Sequence, residues 1–171
     1  MSSEVGSLRA LAHPVRLQIL SLLTGTQLSA TEIAQEIGIS QANASYHLRQ
    51  LLSVGQVVVV EERRIRGGVA KIYRHPYENH PQAKAEGGVA DRLFFEALAT
   101  ELSRRAQLRR ERSRGSSTDA ELWVDAGLWR ELVATASELS RRLHDAARPP
   151  GTDGTIRTST TIAMFEMEPR R

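Results

Sequence analysis

Cysteine is absent from this chain of 171 residues. Its absence excludes disulfide bonds and every metal site that would need a thiolate ligand. Lysine occurs only at Lys71 and Lys84, so arginine carries almost all of the positive charge. No apolar run is long enough to cross a membrane, and no basic N-terminal stretch leads into an apolar segment. We therefore expect a soluble, cytoplasmic protein without a membrane partner.

The motifs of common enzyme classes are missing as well. The chain contains no glycine-rich phosphate loop, no HExxH pair and no GxSxG elbow. We therefore expect neither catalysis nor a cofactor. His75, Glu78 and His80 lie close together in the sequence, but their spacing matches no specific ligand pattern, and we expect no metal site there.

Residues 29–55, SATEIAQEIGISQANASYHLRQLLSVG, have the pattern of a helix-turn-helix. Ser29 and Glu32 have the spacing of a capping box, Gly38 is suited to end the first helix, and Ser40 is suited to cap the second. In the second helix, four apolar residues recur at helical spacing and are expected to face the core. They are Ala44, Leu48, Leu51 and Leu52.

The outward face of this second helix is polar and carries no acid. We predict that it binds double-stranded DNA in the major groove, because its side chains can hydrogen-bond base edges and phosphates. The predicted DNA-binding residues are Gln41, Asn43, Ser45, Tyr46 and Arg49. His47 flanks the apolar stripe and is included with them: it either donates to a phosphate or packs at the edge of the core.

The next segment, VVVVEERRIRGGVAKIYRH, predicts a two-stranded hairpin with a basic tip. Arg63, Arg64 and Arg66 fall beside Gly67-Gly68, and Lys71 lies on the returning strand. Such a wing can contact phosphates or enter the minor groove, although charged turns are also common without a function. Together these elements predict a winged helix-turn-helix domain over residues 1–80. The alternative is a protein-interaction module that keeps the winged helix only as a scaffold.

Two longer motifs carry a resemblance to a known family. LAHPVRLQILSLL, in which His13-Pro14 starts a helix, precedes the helix-turn-helix, and the pattern S-x-H-L-x-x-L lies inside its second helix, at Ser45, His47, Leu48 and Leu51. Over roughly residues 8–75 the chain resembles the ArsR-type winged-helix transcriptional regulators of bacteria. The resemblance implies a homodimer that binds a palindromic operator and usually represses. Many members of that family release DNA on binding a metal, but this chain departs from them, because it has no cysteine and no histidine in the helix after the wing.

Residues 81–118 are predicted to form a linker and a long amphipathic helix, over about 89–112. We expect this helix to form the dimer interface together with a short first helix. The predicted contacts are Leu8, Leu93, Phe94, Leu98 and Leu102. Six arginines between residues 104 and 114 either complement the helix dipole or bind an anion.

Residues 119–171 predict a small strand-helix-strand unit, with strands at AELWVD and over 155–167. The fold class is therefore mainly α with a small β component. Trp123, Trp129 and Phe165 either belong to the core of this unit or line a pocket for a small organic or anionic effector.

Overall fold

The computed structural model describes residues 8–65, 68–77 and 88–168. A helical turn at residues 8–11 precedes the regular elements. These are α1 (Pro14–Gly25), β1 (Leu28–Ser29), α2 (Ala30–Ile37), α3 (Gln41–Ser53), β2 (Val58–Ile65), β3 (Gly68–Arg74), α4 (Val89–Ala106) and α5 (Ala126–Asp145). The predicted fold class, mainly α with a winged helix-turn-helix, is confirmed.

The helix boundaries follow from local chemistry. His13 caps α1, because its Nδ1 accepts a hydrogen bond from the Val15 amide at 3.2 Å, and Pro14 occupies the first position, where no amide hydrogen is needed. Ser29 and Glu32 form the predicted capping box at the start of α2. Gly38 ends α2 at φ 78°, in the left-handed region that glycine adopts without strain.

The core lies where α1, α2 and α3 meet the sheet. Ile19 and Leu23 of α1, Ile33 of α2, and Leu48 and Leu51 of α3 are completely buried. The sheet is antiparallel, with strand order β1-β3-β2, and Ile65 pairs with Gly68 across the hairpin. The two-residue strand β1 was not predicted, because a pair of residues is too short to show alternation.

Helix α4 packs against α1 through a polar contact. Its buried face consists of Ala90, Asp91, Ala97 and Glu101. Gln18 of α1 donates to Glu101 Oε1 at 2.6 Å, and the Glu101 side chain also accepts from Arg104. The helix ends at Ala106 rather than near residue 112. Residues 107 and 108 form a turn instead.

The C-terminal unit differs from its prediction. Helix α5 is present, but the segments predicted as strands, AELWVD and residues 155–167, contain no regular strand. Each segment lacks a neighbouring strand among the described residues, and a strand is stable only when its backbone groups are paired. No residue between 107 and 168 is buried.

Several contacts attach the C-terminal unit to the rest of the chain. The Tyr77 hydroxyl donates to Asp145 Oδ1 at 2.9 Å, and the Tyr77 and His144 rings lie 4.8 Å apart. Farther along the chain, Arg105 of α4 donates to the Thr161 hydroxyl at 3.2 Å, while Phe165 packs against Phe95 at 5.3 Å between ring centroids.

Candidate nucleic-acid interface

The outward face of α3 is as polar in the structure as in the sequence. Gln41, Asn43, Tyr46 and Arg49 are exposed, and Ser45 is half-buried. Ser40 fixes the start of the helix by accepting from the Asn43 amide at 3.2 Å. The five predicted residues therefore share one accessible helix surface that carries positive charge and no acid.

The buried face of α3 differs from its prediction at one position. Ala44, Leu48 and Leu51 are buried, but Leu52 is 39% exposed. The fourth buried residue is His47, at 4% exposure. Its ring lies 4.5 Å from that of His13 and 5.2 Å from that of Tyr46, measured between centroids.

His47 is held uncharged at this position. Burial, together with smaller effects of the nearby His13 and Arg16, lowers the pKa of His47 from 6.5 to about 4. Burial also lowers the pKa of His13, with a smaller contribution from Arg16. In this structure His47 thus packs at the core edge, the second of its two predicted positions, and a contact of its ring with phosphate stays a prediction.

The polar atoms around this histidine pair are incompletely satisfied. His47 Nδ1 and Arg16 Nε are buried without a hydrogen-bond partner among the residues that the structure describes. The other end of the Arg16 guanidinium donates to the Arg9 carbonyl at 3.1 Å. His13 and His47 thus pack on the inner side of α3, between the core and Tyr46 on the outer face.

The cations of the wing lie beside two acids, Glu61 and Glu62. Arg63 Nη2 lies 3.1 Å from Glu61 Oε2, and Lys71 Nζ lies 3.9 Å from Glu62 Oε1. All four side chains are at least half exposed, so these pairs are weak and easily exchanged for other partners. Arg64 is exposed too. Arg66 lies outside the described residues.

The residues predicted at a dimer interface fall into three groups. Leu93 and Leu102 of α4 are 44% and 48% exposed, while Phe94 and Leu98 are half-buried. Leu8 is only 4% exposed, so it belongs to the core of one chain and is not available to a second chain. Of the four apolar residues predicted on α4, only Leu93 and Leu102 are exposed, so the exposed apolar surface of this helix is narrower than predicted.

The three aromatic residues predicted to line an effector pocket do not enclose one. Trp123 is 89% exposed, Trp129 is half-buried, and Phe165 packs against Phe95 of α4. The segments that carry Trp123 and Phe165 do not form the strands that were predicted for them.

The arginines that follow Glu101 also have contacts in the structure. Arg104 forms an ion pair with Glu101 at 2.9 Å, and Arg105 binds the segment at residues 160–161. Two of the six arginines between residues 104 and 114 therefore bind groups of their own chain. The other four, at residues 109, 110, 112 and 114, are exposed.

The described ranges contain no group of three side chains that could hold a metal ion. His75 Nδ1 lies 2.6 Å from the Gln56 carbonyl oxygen, and Glu78 and His80 are outside those ranges. Among the helices that the structure describes, none is both long and apolar enough to span a membrane.

Comparison with known proteins agrees with this geometry. Residues 11–60 match a family model described as a helix-turn-helix domain. The HTH-type transcriptional regulator NmtR of Mycobacterium tuberculosis (strain ATCC 25618 / H37Rv) is 40% identical over 73 residues, which are 42% of this chain and 59% of NmtR. The chain thus matches about three fifths of that relative's length. A solved structure of a possible transcriptional regulatory protein (fragment 1–100) from Mycobacterium bovis is 34% identical, covering 59% of this chain and 88% of that one, with a TM-score of 0.36.

The fold and the matched residues define the class: the N-terminal part of the chain is a winged helix-turn-helix domain of the kind found in transcriptional regulators. More particularly, the motifs around His13 and Ser45 that resemble the ArsR type lie inside the residues that this family model matches.

Proposed function

We propose that the protein is a transcriptional regulator that binds double-stranded DNA sequence-specifically, as a homodimer on a palindromic operator, and represses. We further propose that its response does not depend on a thiolate-bound metal, because the chain has no cysteine. The observation that carries the proposal is the exposed, acid-free face of α3.

The side chains on that face match the chemistry of base edges. The amides of Gln41 and Asn43 can each pair with adenine through two hydrogen bonds, and the Arg49 guanidinium can pair with guanine in the same way. All three side chains are exposed, and they belong to a helix whose start is well capped. The capped helix holds them in a fixed orientation. A scaffold for protein interactions would not need an amide-rich surface free of carboxylates.

The wing supplies contacts that do not depend on base sequence. Arg63 and Lys71 are held by exposed ion pairs with Glu61 and Glu62, and these pairs contribute little to folding stability. A phosphate can therefore replace the carboxylate as partner at a small cost. The two acids also reduce the net charge of the wing, so that we expect it to assist the contacts of α3 rather than to dominate binding.

A homodimer accounts for the apolar residues left on α4. Leu93 and Leu102 remain nearly half exposed in a single chain. A two-fold axis that passes beside this helix would pair it with its copy and present two copies of α3 to successive major grooves, about 34 Å apart, which corresponds to half-sites one DNA turn apart. Repression follows when such a site overlaps a promoter. The proposal includes no effector.

The experiment starts by selecting bound sequences from a random DNA library with the full chain. The affinity for the selected site is then measured by fluorescence anisotropy for Asn43→Ala, Arg49→Ala and, as control, Arg130→Ala on α5. We expect each α3 variant to lose about 1–3 kcal/mol of binding free energy and to tolerate more bases at one position of the site. Arg130→Ala should bind as the wild type does. Unchanged affinity and sequence preference in both α3 variants would contradict the proposed reading face.

A further inference from the structure

Arg16 of α1 is a half-buried cation whose charge is not compensated by a carboxylate of the described residues. Its Nε is buried and has no hydrogen-bond partner among them, while the outer end of its guanidinium donates to the Arg9 carbonyl at 3.1 Å. None of the ion pairs formed within the described residues includes Arg16. A buried or half-buried cation normally has an anionic partner, because the loss of hydration costs free energy.

The place of Arg16 within α1 is also unfavourable for a cation. The helix begins at Pro14, so Arg16 lies in the first turn, where the helix dipole favours negative charge. The sequence of that turn, PVRL, contains no acid. Burial lowers the pKa of Arg16, and Tyr46 raises it by a smaller amount. The stability of α1 therefore gives no reason for an arginine here, whereas an anion bound from outside the chain would.

Three aromatic rings connect the surroundings of Arg16 with the outer face of α3. The ring of His13, three residues before Arg16, lies 4.5 Å from that of His47 between centroids. The His47 ring lies 5.2 Å from that of Tyr46, which is 49% exposed on the outer face. Arg16 also interacts electrostatically with Tyr46 directly. The first turn of α1 therefore adjoins the face of α3 that we propose to read DNA.

The two helices that meet at this place carry positive charge and no acid. The sequence has neither aspartate nor glutamate over residues 5–31, which include α1, or over residues 37–60, which include α3. The arginines of these two ranges are Arg9, Arg16 and Arg49. A polyanion that approaches the outer face of α3 therefore meets attraction, and no repulsion, from the charges of both ranges.

We propose that Arg16 binds a backbone phosphate of the DNA whose bases α3 reads, so that the interface extends from α3 onto α1. The proposal rests on the DNA binding of the proposed function and adds a contact to it. A phosphate oxygen can replace the Arg9 carbonyl as acceptor, and the new hydrogen bond is stronger because both partners are charged. Since phosphate contacts fix the register of a protein on the duplex, Arg16 positions α3 and does not read bases.

The test replaces Arg16 with glutamine, which can still donate to the Arg9 carbonyl but carries no charge. Affinity for the selected duplex and for a random duplex is measured by fluorescence anisotropy at several salt concentrations. We expect Arg16→Gln to bind both duplexes about tenfold more weakly and to lower the slope of log affinity against log salt by about 0.9 for each copy bound. Arg16→Lys, which keeps the charge, should retain the slope. Arg130→Gln on α5 removes the same charge elsewhere and should behave as the wild type.

A second measurement locates the phosphate on the DNA. Single methylphosphonate groups, which carry no charge, are introduced one at a time along the backbone of the selected duplex. At the phosphate that Arg16 binds, the substitution should weaken binding of the wild type about tenfold but that of Arg16→Gln hardly at all, because the variant has already lost this contact. At other contacted phosphates the two proteins should lose affinity equally. If no position shows this difference, the proposal is overturned.

The outcomes separate this proposal from a structural role of Arg16 and from the proposed function. If Arg16→Gln lowers the free energy of unfolding in urea but keeps the salt slope of the wild type, Arg16 is structural and the phosphate contact is overturned. If the wild type binds selected and random duplexes equally well and Arg16→Gln still lowers the slope, the phosphate contact is supported and sequence-specific binding is contradicted. A wild-type chain that binds neither duplex would overturn both.

Discussion

Acidification should destabilise the folded protein through His47. The pKa of this imidazole is about 4 in the folded chain and 6.5 when unperturbed, a difference of roughly 2.5 units. Since each unit corresponds to about 1.36 kcal/mol, protonation of His47 in the unfolded chain costs about 3 kcal/mol of folding stability at pH 4. The direction follows from the lowered pKa: this stability is complete above pH 6.5 and is lost as the pH falls toward 4.

The assay is urea unfolding, followed by circular dichroism, at several pH values between 7.5 and 4. His47→Gln removes the titrating group, and His144→Gln on α5 is the control, because its ring packs against Tyr77 far along the chain from the core of the winged helix. We expect the free energy of unfolding of the control to fall with pH as in the wild type and that of His47→Gln to fall less. His13 has a lowered pKa as well, so a smaller pH dependence should remain in His47→Gln.

Two results would refute this reasoning. Parallel stability curves for the wild type and His47→Gln would show that His47 has the same pKa in both states. An NMR titration that gives His47 a pKa near 6.5 in the folded protein would show that it is hydrated rather than buried against His13.

Three further predictions concern the fold and the wing. Glu101→Ala should lower the free energy of unfolding by about 1–3 kcal/mol, because Gln18 and Arg104 lose their buried acceptor. The control, Glu96→Ala on the exposed face, should change this free energy little. Urea unfolding measures both, and equal effects would contradict the role of Glu101. Gly38→Ala should cost about 1–2 kcal/mol, because alanine is strained at φ 78° although no atom lies within 4 Å of its added carbon; an unchanged melting temperature would argue against this cost. Replacing Arg63, Arg64 and Arg66 by alanine should reduce the slope of log affinity against log salt by at most about 3, and an unchanged slope would show that the wing tip stays off the DNA.

The helix-turn-helix was predictable because its signals are local. The hydroxyl of Ser29, the carboxylate of Glu32 and the freedom of Gly38 each act within a few residues, and the structure places all three as predicted. The exposure of Asn43 and Arg49 followed from the helical period alone.

The position of His47 was not predictable in the same way. Helical spacing places it at the flank of the stripe, where burial depends on which residue of another helix lies opposite. That residue is His13, which caps α1 ahead of its first fully buried residue, Ile19, and no local pattern in α3 predicts this contact. The same limitation applies to Leu52, which is as apolar as its buried neighbours but faces no other element closely enough to be covered.

The C-terminal third shows why residue preference did not suffice for strands. Residues 155–167 contain β-branched and aromatic side chains, which favour extended backbone, but a sheet also requires a second strand in register. The described residues provide no such second strand. The segment instead contacts α4, at Arg105 and Phe95. Helix α5 needed no such partner to be recognised, because its backbone hydrogen bonds are internal and its cap, Asp125, is local.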